Sequence, residues 1–277
     1  MSSRRVQPTQ VSDTPHDFEK DHVHAVYDEI ASHFSSTRYK PWPVIAEFLS
    51  SLPTGAVGLD SGTGNGKYLP LPLDRPSGSV WTIGLDRSRN LLEIARRAGE
   101  GSFREVVWGD ALQNCWRWHA FDYAISIATI HHLATEERRR QAVEVGRLCD
   151  GALIRAVSPT SGRVLIYVWA VEQDELSKRH IPTENTADAG VDVFVPWVLS
   201  KTKTPSDAPT GESRVYNRYY HMFARGELRR LVELAAKEMG LEVGVADKSA
   251  VGRRGLEIVQ DGWERSNYYV ELRLWRT

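Results

Sequence analysis

Between Asp21 and Leu52 apolar residues recur at helical spacing: Val23, Val26, Ile30 and Phe34, then Val44, Ile45, Phe48 and Leu49. Pro41 and Pro43 separate the two runs, so two helices are predicted rather than one. Further along, short apolar runs alternate with helical patterns. The strand-like runs are Ala56–Asp60, Val80–Asp86, Phe103–Asp110, Phe121–Ile130 and Val164–Ala170; Leu91–Arg97 and Thr135–Val157 read as helices between them. Such alternation predicts an α/β fold with a mostly parallel sheet covered on both faces. Toward the C-terminus, Gly226–Met239 is an amphipathic helix stopped by Gly240. Leu256–Trp263 and Asn267–Trp275 are spaced to form an antiparallel hairpin. Residues 1–20 read as a polar, flexible leader, and 178–217, rich in Thr, Ser, Pro, Asp and Lys, as a long insertion or mobile loop.

With 277 residues, the chain has room for one large domain, expected over 21–277, with 21–52 as a helical lid. A hydrophobic fraction of 41% excludes a disordered protein, and a net charge of -1 excludes a wholly basic nucleic-acid binder. Two cysteines, Cys115 and Cys149, can build neither a disulfide framework nor a four-thiolate zinc site, which points to a reducing, cytoplasmic or nuclear setting. No apolar stretch has membrane-spanning length, so no membrane partner is expected.

The richest local signal is Asp60-Ser61-Gly62-Thr63-Gly64-Asn65-Gly66, directly after the first strand-like run. Alternate glycines allow a tight turn and close approach of a ligand to the backbone, and the N–H groups opening the next element favour a polar or anionic group. A dinucleotide fingerprint would need glycine at position 67, where Lys67 stands. The spacing present, with Asp60 two residues before Gly62, resembles class I S-adenosylmethionine-dependent methyltransferases. Glycines serving only the geometry of a turn remain the competing reading. Two further acids close successive strands. Asp86 stands where a carboxylate can take ribose hydroxyls, and Asp110 where methyltransferases of this class read the adenine amino group. The resemblance therefore assigns S-adenosylmethionine to Asp60, Gly62, Gly64, Gly66, Asp86 and Asp110.

Longer stretches narrow the class: Val26-Tyr27-Asp28-Glu29-Ile30-Ala31-Ser32-His33-Phe34-Ser35-Ser36-Thr37-Arg38-Tyr39-Lys40-Pro41-Trp42-Pro43, Gly64-Asn65-Gly66-Lys67-Tyr68-Leu69, Ser126-Ile127-Ala128-Thr129-Ile130-His131-His132-Leu133, Tyr167-Val168-Trp169-Ala170-Val171-Glu172-Gln173 and Arg218-Tyr219-Tyr220-His221-Met222-Phe223. Together they resemble the eukaryotic tRNA wobble-uridine carboxymethyl methyltransferases, from about residue 21 to the C-terminus, with 178–217 poorly matched. Ser61 and Thr63 depart from the Val and Cys usual in that family. The resemblance implies a seven-stranded sheet ending in an antiparallel hairpin. It also implies methyl transfer to the carboxylate of 5-carboxymethyluridine at the tRNA wobble position. A carboxylate is ionised at neutral pH, so it attacks a sulfonium methyl without a general base; positioning and exclusion of water are what remain.

Candidates to position the carboxylate are His132, after the fourth strand, Arg38 and His33 in the N-terminal stretch, and Arg218 and His221 before the C-terminal helix; each histidine could equally be a structural hydrogen-bonding residue, and Arg38 and Arg218 surface or phosphate-contacting arginines. Tyr27 could cover the methionine moiety and Trp42 stack on the uracil, or both could be core aromatics of a lid. Residues 200–230 carry seven Lys or Arg against three acids, interleaved with Tyr216, Tyr219 and Tyr220. This composition suits phosphate contact and base stacking, as does a solvated loop, and makes Lys201, Lys203, Arg218, Tyr219 and His221 candidates for RNA contact. Phe103, Val106, Val107 and Trp108 would line a sheet edge. Local helices could cover that edge, whereas the resemblance implies a heterodimer with a small zinc-binding activator protein joined along it. Zinc would then belong to the partner, since no zinc-ligand spacing occurs in this chain. A small-molecule methyltransferase and a non-catalytic cofactor-binding scaffold are the alternatives.

Overall fold

The computed structural model describes residues 5–37, 40–99, 103–113, 115–143, 153–175, 177, 179, 181, 190–199, 214–247 and 249–277. In chain order the elements are β1 (Gln7–Pro8), α1 (Pro15–Glu19), a π-helical turn (Lys20–His24), α2 (Ala25–Ser36), α3 (Pro43–Ser50), β2 (Ala56–Ser61), β3 (Val80–Asp86), α4 (Arg89–Ala95) and β4 (Val106–Trp108). They continue with β5 (Tyr123–Ile127), a 3-10 turn (Ile130–His132), α5 (Glu136–Val143), α6 (Leu153–Ala156), β6 (Arg163–Trp169), β7 (Val191–Leu199), β8 (Arg214–Met222), α7 (Glu227–Glu238), β9 (Glu242–Val243), β10 (Arg254–Glu264) and β11 (Asn267–Arg276).

The main sheet runs β4-β3-β2-β5-β6-β11-β10-β9. Strands β4 to β6 pair in parallel, and β11 is antiparallel to both β6 and β10. This is the expected seven-strand arrangement, extended by the two-residue β9. On one face, Ile45, Phe48 and Leu49 of α3 pack beneath Tyr123, Ile125 and Leu165. On the other, Leu228, Leu231, Val232, Ala235 and Ala236 of α7 form a continuous buried stripe over Val164, Ile166 and Leu272. Chain order reverses between β2 and β5, which opens a crevice at the carboxyl ends of those strands.

A second, antiparallel sheet, β1-β7-β8, sits beside the end of β6, with Val193, Val195, Tyr220 and Met222 packed on Trp169 and Val171. It corrects two expectations. Residues 191–199 and 214–217, assigned above to a mobile insertion, are paired strands, with Val191 opposite Met222 and Leu199 opposite Arg214. Pro196 obscures the alternation of β7; it lies beyond the short pairing of β1 with Val193 and Phe194, where no ladder bond is required of it. Nor is the described part of the leader loose. Gln7 and Pro8 pair with β7, Phe18 packs against Tyr219, and Glu19 is 1% exposed. Glu19 accepts hydrogen bonds from the Ala134 N–H at 2.8 Å and from Nε and Nη2 of Arg138 at 2.7 and 2.6 Å.

Of the predicted helix over Thr135–Val157, α5 and α6 cover described parts, and 144–152 lie outside the described residues. The third predicted strand is only three residues long. It forms the sheet edge, with Val106 and Val107 half-buried and Phe103 and Trp108 71% and 58% exposed. At the opposite end of the lid, Asp28 of α2 reaches across to α4. Its Oδ1 accepts from the Ser88 hydroxyl at 2.7 Å and the Asn90 N–H at 3.1 Å.

Candidate active site

Strand β2 ends in the glycine turn. Gly62, Gly64 and Gly66 all have positive φ, at 84°, 58° and 75°, as the alternating pattern requires. The N–H groups of Gly62 and Thr63 donate to the Leu85 carbonyl at 2.8 and 2.9 Å, tying the turn to β3. Asp86 completes the tie: its Oδ2 accepts from the Gly64 N–H and its Oδ1 from the Ser88 N–H, both at 2.8 Å. Asp86 thus fixes two backbone segments of the crevice. Burial raises its pKa, against the pull of those N–H donors. Asp110 receives Nη1 of Arg87 at 2.8 Å and the Leu112 N–H at 2.9 Å.

Asp60 lies under the turn, 1% exposed. Its Oδ2 accepts from the Thr63 hydroxyl at 2.7 Å, and its Oδ1 is buried with no hydrogen-bond partner. Burial pushes the carboxyl up to about 7; the Thr63 hydroxyl lowers it and Asp86 raises it further. A raised acid of this kind favours the folded chain most below the unfolded carboxylate pKa of about 4, and the benefit is lost as pH rises through about 7. An ammonium ligand reverses the preference by requiring the ionised form. S-adenosylmethionine affinity is therefore expected to rise between about pH 6 and pH 8, with proton release on binding, and Asp60→Asn should flatten that rise. Titration calorimetry in buffers of different ionisation enthalpy checks both.

These strand ends border one pocket. It is lined by Val23, His24, Asp86, Arg87 and Asp110 toward β3 and β4, and by Tyr27, Trp42, Lys67, His131, His132, Trp169 and Tyr220 toward β6 and the lid. Ala128 turns the chain from β5 into the pocket with a φ of 56°, a strained value for a residue with a Cβ. The turn presents His132, whose Nδ1 donates to the Tyr219 carbonyl at 2.9 Å, leaving Nε2 as the acceptor of the neutral ring. The imidazole meets the rings of Tyr27 at 5.0 Å and Tyr220 at 4.5 Å between centroids. Burial, reinforced by the charges of Arg218 and His24, lowers its pKa to about 3 even though the Tyr219 carbonyl raises it. His131 is held the other way round. Its Nδ1 accepts from the Trp169 N–H at 3.1 Å, so Nε2 bears the proton, and that buried N–H has no partner.

The pocket gathers Gly62, Gly64, Asp86, Asp110, Tyr27, Trp42 and His132; Gly66 supports the turn from behind, where a Cβ would strike the Ala95 backbone at 2.8 Å. Other candidates are placed elsewhere. His33 faces Trp197 at 5.4 Å, outside the lining. The hydroxyl of Tyr219 donates to Asp192 Oδ1 at 2.7 Å, away from the pocket. His221 is buried between Asp192 at 2.9 Å and Glu227 at 2.7 Å, a structural bridge joining β7, β8 and α7. Arg218 is 3% exposed and stands behind the pocket wall, with Nη1 donating to the Tyr27 hydroxyl at 3.5 Å. For Tyr219 and His221 the cause is strand alternation within β8, which turns them away from the side where Tyr220 lines the pocket and Arg218 stands behind it. Arg38, Lys201 and Lys203 lie outside the described residues. Sequence reasoning missed His24, Arg87, Thr129, Trp169 and Tyr220 as lining residues; the Tyr167–Gln173 stretch carried the signal for Trp169 but no role.

The site fits S-adenosylmethionine. Gly64 has open space where a Cβ would stand, so a ligand can approach its backbone. Asp60 holds a buried, unpartnered acceptor beneath the turn, and Asp86 and Asp110 bring two further carboxylates to the lining. No cluster able to hold a metal occurs among the described residues.

A methyltransferase-domain family model matches residues 59–150. A 1,6-didemethyltoxoflavin-N1-methyltransferase from Burkholderia thailandensis, solved with S-adenosylhomocysteine, shares the fold at a TM-score of 0.59 and 15% identity, covering 100% of this chain and 97% of that one. The CcbJ methyltransferase from Streptomyces caelestis matches at 0.56 and 15%, over 90% and 98%. Among curated relatives, the Saccharomyces cerevisiae tRNA (carboxymethyluridine(34)-5-O)-methyltransferase is 41% identical over 72% of this chain and 65% of its own length. The Xenopus tropicalis alkbh8 protein is 39% identical over 77% of this chain, which spans only 37% of that longer protein. The Schizosaccharomyces pombe enzyme of the same name is 38% identical over 92% of this chain and 96% of its own length. With an S-adenosylmethionine crevice built on these strand ends and kinship running through almost the whole length of both chains, the protein belongs to the tRNA (carboxymethyluridine(34)-5-O)-methyltransferase family.

Proposed function

We propose that this chain transfers a methyl group from S-adenosylmethionine to the carboxylate of 5-carboxymethyluridine at the wobble position of tRNA, giving the methyl ester. The observation that carries the reading is the chemistry of the pocket's inner end. His132, its best-placed imidazole, has a pKa near 3 and is too weak a base to activate a hydroxyl or an amine. A site whose histidine is kept neutral in this way suits an acceptor that arrives already ionised, as a carboxylate does.

S-adenosylmethionine, when bound, supplies an electrophilic methyl on a sulfonium. Asp86 and the glycine turn would orient it, with Asp60 beneath the turn, and Tyr27, Trp42, Trp169 and Tyr220 would exclude water from the line of attack. The nucleoside would enter against the lid, unstacked from its neighbours so that its carboxymethyl arm reaches this chamber. The excess of Lys and Arg over acids in 200–230 supports contact of that region with the tRNA backbone, although Arg218, Tyr219, Tyr220 and His221 are buried within the fold. The exposed edge formed by Phe103, Val106, Val107 and Trp108 supports, together with the family resemblance, strand addition by a small zinc-binding activator. A cytoplasmic location belongs to the same reading.

Methyl transfer is to be measured with the chain alone and with the activator, using tRNA carrying 5-carboxymethyluridine, tRNA without the modification, and small phenols. Ester formed only on the modified tRNA is the expected result. Methylation of the phenols in preference to tRNA would overturn the assignment in favour of a small-molecule enzyme.

A further inference from the structure

Arg218 is a buried cation without a carboxylate to balance it among the described residues. Its guanidinium lies over the rings of Trp197 at 4.6 Å and Tyr220 at 5.3 Å, and its Nε is buried without a partner. Arg138 nearby is answered by the Glu19 carboxylate. Holding an unpaired charge out of water is costly, and such a group is retained where an anion completes it.

Two hydroxyls separate this cation from the pocket. Nη1 of Arg218 donates to the Tyr27 oxygen at 3.5 Å, and the Tyr27 and Tyr220 oxygens are 2.7 Å apart. Both rings line the pocket, as does His131, whose ring is 5.1 Å from that of Tyr220 and whose buried Nε2–H has no acceptor. The acids of the pocket lining, Asp86 and Asp110, come from β3 and the turn after β4, not from this end. One wall of the chamber thus combines a polarised hydroxyl pair, an unused N–H donor and a cation behind them.

Resting on the wobble-uridine reading above, we propose that the Arg218–Tyr27–Tyr220 chain, together with the Nε2–H of His131, is the receptor for the substrate carboxylate. Arg218 is a positioning residue. It polarises the Tyr27 hydroxyl, which donates to Tyr220, and the Tyr220 O–H and the His131 N–H donate to the carboxylate oxygen that is not methylated. The charge reaches the substrate through hydrogen bonds and not by direct contact, which holds the anion without the tight ion pair that would blunt its nucleophilicity. The same wall discriminates by charge: a nucleoside with a neutral amide in place of the carboxylate gains less from it.

The test uses the full chain saturated with S-adenosylhomocysteine and labelled anticodon stem-loops carrying 5-carboxymethyluridine or 5-carbamoylmethyluridine. The wild type should prefer the acid by about tenfold or more. Arg218→Gln and Tyr220→Phe should bring the preference close to one without changing S-adenosylmethionine affinity, and Arg218→Lys should restore part of it. Tyr220→Phe removes a single oxygen and decides the matter if Arg218→Gln fails to fold. Full preference retained in the folded variants would overturn the receptor. A wild type that, with the activator present, does not methylate the 5-carboxymethyluridine stem-loop or tRNA at all would instead overturn the reading of function on which it rests.

Discussion

Gly62→Ala weakens S-adenosylmethionine binding about a hundredfold while the chain stays folded. A Cβ at this position would lie 2.1 Å from Thr129 Oγ1 and 2.3 Å from its methyl, and the backbone φ of 84° is one that alanine resists. The left-handed conformation costs about 1–2 kcal/mol and the overpacking about 1–3 kcal/mol more. Relief can come only by moving the turn or Thr129. Both border the pocket, so the strain is released at the site and not into the core. Each 1.4 kcal/mol is about a factor of ten in affinity, so a loss of about a hundredfold is expected by calorimetry. Circular dichroism should report a folded chain. Affinity within a factor of about three of wild type would mean that the turn is not the cofactor cradle.

Glu19→Ala should be the most destabilising single change in the N-terminal segment. Its carboxylate is 1% exposed and satisfies three donors at once: the Ala134 N–H, and Nε and Nη2 of Arg138. Removing it strands a buried N–H and a guanidinium that retains only 20% of its exposure. Breaking such a pair from one side costs about 3 kcal/mol. In a chain of this size that lowers the thermal midpoint by roughly 6–12 °C. Because Ala134 follows the turn carrying His131 and His132, KM for tRNA should rise as well, and Glu19→Gln should recover part of both losses. A midpoint shift below about 2 °C would show that the segment is not anchored there.

The glycine turn and the acids closing β2 and β3 were legible because their signals are local: spacing after an apolar run, and one carboxylate at each strand end. The order of the main-sheet elements followed from the same alternation. What escaped depends on contacts between distant segments. Nothing near Glu19 in the chain announces a partner at Arg138, so a polar stretch with prolines read as a leader. In β7 the Val191, Val193, Val195 alternation is interrupted by Pro196, and only the short reach of β1 explains why a proline is tolerated there. His221 looked like a site residue until the acids that hold it, Asp192 and Glu227, came from two other elements. Arg218 was noticed for its charge, but its place behind two tyrosines is set by which side of β8 faces the chamber.

The reach of Asp28 across to the start of α4 has a consequence for how the two ligands sense each other. Its carboxylate grips Ser88 and Asn90, immediately beyond Asp86 on the nucleoside side of the crevice, while its chain neighbour Tyr27 stands in the opposite wall. A shift of the 86–90 segment when one ligand docks would be passed through the joint at Asp28, whose backbone carbonyl also accepts from the Asn90 side chain at 2.9 Å, to the wall that meets the other ligand. Heterotropic coupling through such a joint is reciprocal by thermodynamic necessity: whatever affinity the nucleoside cofactor lends to tRNA, tRNA must return in equal measure.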